Sequence, residues 1–140
     1  MYSCAVTSLG AVKCWGSNIS GQLGNDSLTD SHVPVDVVGL SSGVLHLSVG
    51  GGHTCAVTKA GAVKCWGLNF LGQLGDGSSN DSLVPVAVVG LSGAISLSTG
   101  SGYTCVRTKA STVACWGPEL LDLGNTPTAY SSVPVEVMGL

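Results

Sequence analysis

The chain predicts an all-β fold of three four-stranded antiparallel β-propeller blades, the first incomplete. Three observations carry this expectation: an internal repeat of about fifty residues, four strand-and-turn segments within a repeat, and no apolar spacing of three and four such as a helix would need.

The repeat is seen by self-comparison. CAVTSLGAVKCWGSNISGQLG at 4–24 recurs as CAVTKAGAVKCWGLNFLGQLG at 55–75, with 16 of 21 positions identical. A weaker third copy, CVRTKASTVACWGPELLDLG, occupies 105–124, and eight residues after each copy comes a matching tail, VPVDVVGL, VPVAVVGL or VPVEVMGL. Trp15, Trp66 and Trp116 mark steps of 51 and 50 residues. Blades of a propeller repeat at ~40–50 residues and hold four strands each. The repeats divide the chain into an incomplete first blade at 1–40, a second at 41–91 and a divergent third at 92–140.

Within the second repeat, 43–52, 54–58, 62–67 and 84–89 read as the four strands, bounded by Gly, Ser and Asn/Asp clusters. The register of the middle two follows from the turn. If Lys59, Ala60 and Gly61 form a three-residue loop with Gly61 left-handed, the opposed pairs are 58:62, 57:63, 56:64 and 55:65. Cys55 then faces Cys65 at a narrow, non-hydrogen-bonded site where both side chains share a face, and a cross-strand bridge fits. The same arithmetic pairs Cys4 with Cys14 and Cys105 with Cys115, using all six cysteines. Disulfides are expected; buried thiols and metal ligands are the alternatives, the latter disfavoured because no C-x-x-C with nearby histidines exists.

The CWGxNxxGQLG run, the G-x-G-[H/Y]-T-C entry at Gly50–Cys55 and Gly100–Cys105, and the VPV exit resemble the repeat of the regulator of chromosome condensation family, in its cysteine-paired bacterial secreted form. The resemblance covers the whole chain and makes Trp15, Trp66, Trp116, Gly21, Gly24, Gly72 and Gly75 structural repeat positions. It implies an array that is normally seven-bladed. The third repeat departs from the pattern: Pro118 and Glu119 replace the residues around Asn18 and Asn69, the Gly-Gln pair is gone, and Ser111 stands where the turn glycine should be. The first repeat lacks the opening strand of the other two, about ten residues judged by the period, so the chain is expected to be a fragment of a longer array.

Composition narrows the partners. Net charge is −3, with Lys13, Lys59, Lys64, Arg107 and Lys109 the only basic side chains apart from histidine. No basic stripe can form to neutralise phosphates, so no nucleic-acid partner is expected. Mean hydropathy is +0.44, yet no run of ~18 apolar residues offers a membrane span, and MYSCAVTSLG does not read as a signal peptide. Paired cysteines point to an oxidising compartment, so the parent protein is expected to be extracellular or periplasmic.

No catalytic residue, metal site or cofactor is expected. Gly39–Gly43 matches the G-x-S-x-G string of hydrolases, but it falls at a blade junction with no helix after it. His53 takes the position of Tyr2 and Tyr103, which points to a shared packing or hydrogen-bonding role. Asn18, Asn25 and Asn80 head N-x-S sequons that matter only in a glycosylating pathway. The polar, variable loops at 25–32, 76–83 and 125–132 are the natural place for specificity on a rigid scaffold. Their Asp26, Asp30, Asp76, Asp81 and Tyr130 are candidate binding residues, and the acidic spacing does not follow a calcium loop.

Two departures between repeats add candidates. Arg107 replaces Val6 and Val57 on the face that carries the bridging cysteine; an open third face is expected, with an acidic mate at Glu119 or Asp122 as the alternative. Phe70–Leu71 and Leu120–Leu121 set apolar pairs where the first copy has Ile19–Ser20, expected to pack between blades, or else to form an apolar recognition tip. The function expected is a non-catalytic protein-binding or scaffold module, with self-association through open blade edges as a further option. The resemblance also implies an alternative, nucleotide exchange on a small GTPase, and includes β-lactamase inhibitory proteins among the binders.

Overall fold

The computed structural model describes residues 1–118 and 130–139, and within them every regular element is a strand. The strands are β1 (Tyr2–Val6), β2 (Val12–Gly16), β3 (Ser31–Asp36), β4 (Val44–Val49), β5 (His53–Thr58), β6 (Val63–Gly67), β7 (Ser82–Ala87), β8 (Ala94–Thr99), β9 (Thr104–Thr108), β10 (Val113–Pro118) and β11 (Tyr130–Glu136). They form three antiparallel sheets in the orders β1-β2-β3, β4-β5-β6-β7 and β8-β9-β10-β11. These are the three blades, and the first lacks its inner strand.

The central hairpins have the register set by their turns. Cys55 faces Cys65, Ala56 faces Lys64 and Val57 faces Val63. The Gly61 amide donates to the Thr58 oxygen at 2.9 Å, with Gly61 at φ +78°. Ser111 holds the same place at φ +63°, a conformation that costs an L-residue about 1–2 kcal/mol. Bridges join Cys4–Cys14, Cys55–Cys65 and Cys105–Cys115, each with Cα atoms 4.1 Å apart, near the ~4.5 Å of a narrow antiparallel pair.

The outer strand differs from expectation. It runs over Ser82–Ala87 rather than 84–89, and the reason is Pro85. Cys65 pairs with Val86 and Gly67 with Ser82, so Trp66 alone stands against Leu83, Val84 and Pro85. Proline has no N–H to give the ladder, and the strand bulges past it. The same bulge recurs between Cys14/Gly16 and between Cys115/Gly117. The inner strand also stops early, at Val49, where Gly50–Gly52 turn the chain into β5.

Packing lies between sheets. In the first seam Val12, Cys14 and Leu23 meet Val44, Ala56 and Trp66; in the second Val57, Val63 and Leu74 meet Ala94, Val106 and Trp116. Each fully buried Val or Leu there contributes roughly 1.5–3 kcal/mol. Odd strand positions such as Cys55 and Val57 face the following blade, and even ones such as Ala56 face the preceding blade, which is the period-2 alternation of a strand buried on both sides.

Candidate functional site

Each seam is latched by a loop from one blade and a tryptophan from the next. The Trp66 Nε1–H donates to the Gln22 oxygen at 3.0 Å, and the Trp116 Nε1–H donates to the Gln73 oxygen at 2.8 Å. Gly24 and Gly75 let the indoles approach: a Cβ on Gly75 would lie 2.6 Å from Trp116 Nε1. Trp15 is only half-buried, and its indole N–H has no acceptor among the described residues.

The latching loop is organised by one asparagine. Asn69 is fully buried; its side-chain amide donates to the Asn80 oxygen at 3.0 Å, the Ser78 oxygen at 3.2 Å and Asp76 Oδ1 at 3.2 Å, and its Oδ1 accepts from the Leu74 amide at 2.9 Å. Its own amide donates to Asp81 Oδ1 at 2.7 Å. Asn18 repeats the arrangement with Asn25, Ser27, Thr29, Leu23 and Asp30. Asp30, Asp76 and Asp81 thus brace their loops by hydrogen bonds to the asparagine, Asp30 and Asp81 while still exposed; Asp26, also exposed, sits at φ +59°. Among the described residues no group of acidic, His or Cys side chains could hold a metal ion, and no helix is long and apolar enough to cross a membrane.

The braced loop of the second blade lifts an apolar tip. Phe70 is 60% exposed and Leu71 half-buried. With Leu68 they form one wall of a groove of ≈ 530 Å³, and Tyr103 and Pro118 from the third blade form the other. Ser17, Ile19 and Ser20 hold the equivalent positions in the first loop, where Ile19 is the one apolar member. Tyr130, at the start of the outer strand of the third blade, is exposed and does not line this groove. Arg107 is exposed, beside Ser96 and Val113 on a shallower hollow of ≈ 200 Å³ on the third blade's open face. Leu120 and Leu121, with the suggested acidic mates Glu119 and Asp122, lie outside the described residues. Sequence reasoning missed the roles of Asn69 and Gln73; the signal was present, since both are unchanged between the first two copies.

The model of the regulator of chromosome condensation (RCC1) repeat matches residues 10–57 and 60–107. The chain belongs to the regulator of chromosome condensation repeat family. Among curated relatives of this RCC1-repeat chain, the Ultraviolet-B receptor UVR8 of Arabidopsis thaliana is 40% identical over 85 residues, 60% of this chain and 19% of the receptor. Protein RCC2 homolog of Danio rerio is 35% identical over 89 residues, 63% of this chain and 18% of that protein. The chain therefore spans about a fifth of their length. Solved structures share the fold: human WBSCR16 superposes with TM-score 0.87 at 24% identity, over 96% of this chain and 35% of that one. Prp20p of Saccharomyces cerevisiae, whose study reports binding to Gsp1p and histones, gives TM-score 0.85 at 16% identity over 99% of this chain and 36% of its own. The RCC1-repeat chain is thus a stretch of propeller with its seam latches in place.

Proposed function

We propose that this chain is a non-catalytic protein-binding sector of a propeller, and that its recognition surface is the apolar groove between the second and third blades. The observation that carries this is Phe70: a fully braced loop holds a large aromatic ring 60% exposed instead of burying it. Such a ring, rimmed by polar loop residues, has the anatomy of a binding anchor. That Prp20p binds Gsp1p and histones is consistent with a protein-binding role for the fold. Nucleotide exchange is the second reading and draws on that same resemblance, with no residue of this chain assigned to it. The three bridges favour an extracellular or periplasmic setting.

Peptide selection on the immobilised chain tests the groove. Enriched peptides should be rich in apolar and aromatic residues and should lose binding to Phe70→Ser, while Leu9→Ser, an exposed position on the first blade that does not line the groove, leaves them bound. Peptides indifferent to Phe70→Ser would refute the assignment. Self-association through the outward faces of the first and third blades is read separately, by sedimentation over a range of concentrations.

A further inference from the structure

The two seams are closed by the same backbone design but by different side chains. In the first, the Tyr2 hydroxyl donates to the His53 backbone oxygen at 2.7 Å and accepts from Thr54 Oγ1 at 3.0 Å. In the second, His53 takes the place of tyrosine, and its Nε2 lies 2.9 Å from Thr104 Oγ1. The single proton of the Thr104 hydroxyl can go to Nε2 or to the Gln73 oxygen at 3.2 Å, so the neutral ring is accommodated in either tautomer at Nε2. Nδ1 has no partner in either case, so a ring that carries both protons has an Nδ1–H with no acceptor.

That Nδ1 is buried without a partner, and the ring as a whole is fully buried. Gly50 closes that side, since a Cβ there would be 2.8 Å from Nδ1. From every packed element the surroundings are neutral: Gly50 after β4, Gly67 opposite on β6, Thr104 on β9, and from β1 the Tyr2 phenol, which meets only the backbone oxygen of His53. The nearby Cys55 sulfur is bridged to Cys65 and does not titrate. Among the described residues no carboxylate, lysine or arginine pairs with the ring.

We propose that the seam between the second and third blades is an acid-sensitive joint, opened when the His53 ring takes a proton and becomes a cation, while the first seam, closed by Tyr2, is insensitive to acid. The protonated ring is a buried cation whose Nδ1–H has no acceptor, and opening the seam hydrates it. Burial holds the ring down at about 4 in the closed form, against 6.5 in water. The Tyr2 phenol is pushed up to about 12 by burial and stays neutral throughout the acid range. Because Phe70 and Tyr103 stand on opposite sides of the joint, opening also dismantles the groove; that consequence alone rests on the groove being the binding surface.

Hydrogen exchange by mass spectrometry, corrected for the intrinsic pH dependence, tests the joint itself. Protection across 104–118 should fall by about tenfold per pH unit between 6.5 and 4, while 2–16 falls much less. His53→Tyr, which installs the residue of the other two repeats, should abolish the difference. Equal slopes in both segments, or a slope that survives in His53→Tyr, would overturn the proposal. If that variant does not fold, ring NMR of the native protein decides: a His53 that stays neutral down to about pH 4 in the protected form supports the joint, and one that protonates near 6.5 with protection intact overturns it.

Discussion

Trp66 and Gln22 belong to different blades, yet the indole nitrogen of one sits 3.0 Å from the backbone oxygen of the other. Trp116 and Gln73 repeat this in the second seam at 2.8 Å. Trp116→Phe keeps most of the buried ring but removes the indole donor to the Gln73 oxygen, which keeps the Thr104 hydroxyl at 3.2 Å. We expect a loss of about 0.5–1.5 kcal/mol in urea unfolding. No change beyond error would mean that the latch is packing alone.

Gly75 sits at φ +69° with the Trp116 indole against it. Gly75→Ala should cost at least about 2 kcal/mol, from backbone strain and the displaced indole together. Gly90, at φ +65° with nothing within 4 Å, is the control: Gly90→Ala should cost only about 1 kcal/mol. Equal losses would show that the close approach carries no energy.

Ser111 is the one hairpin turn without glycine, at φ +63°. Ser111→Gly relieves the left-handed strain and gives back part of the gain as chain entropy. A net stabilisation of about 0.5–1 kcal/mol is expected, read as a higher urea midpoint.

All six cysteines are bridged, each bridge closing a loop of ten-residue separation. Intact mass under alkylation should show six additions only after reduction. The double variant Cys55→Ser with Cys65→Ser should lose about 3 kcal/mol on the chain-entropy model. Six reactive thiols in the native protein would remove the argument for an oxidising compartment.

Acid should weaken the protein through His53. Its folded value of about 4 lies below 6.5, so between the two the unfolded chain binds the extra proton, and stability falls as pH drops through that window. The full effect below pH 4 is about 3 kcal/mol, and none of it is present above 6.5. Urea titrations of the native chain and His53→Tyr, compared pH by pH, isolate this contribution from the carboxylates.

The strand order, the hairpin register and the cysteine pairing were legible because they follow from local rules: a glycine turn sets a register, and a period of two assigns faces. Outer-strand bounds were not legible, since the spacing does not show that Trp66 faces Leu83, Val84 and Pro85 at once, the bulge that carries the strand back to Ser82. The roles of Asp30 and Asp81 were also hidden. An acidic residue in a variable loop looks like a surface group, and only the fold brings it to the Asn18 or Asn69 amide. His53 was recognised as equivalent to tyrosine, but its unpartnered Nδ1 depends on where Gly50 lies, and sequence spacing does not reach that far.

Each bridge begins and ends in its own hairpin, so no disulfide crosses either described seam. Under a pulling force the chain should yield blade by blade at the seams, with each stapled hairpin coming away intact. Oxidation thus sets the size of the unit that detaches, and the tryptophan latches set the force at which it does so.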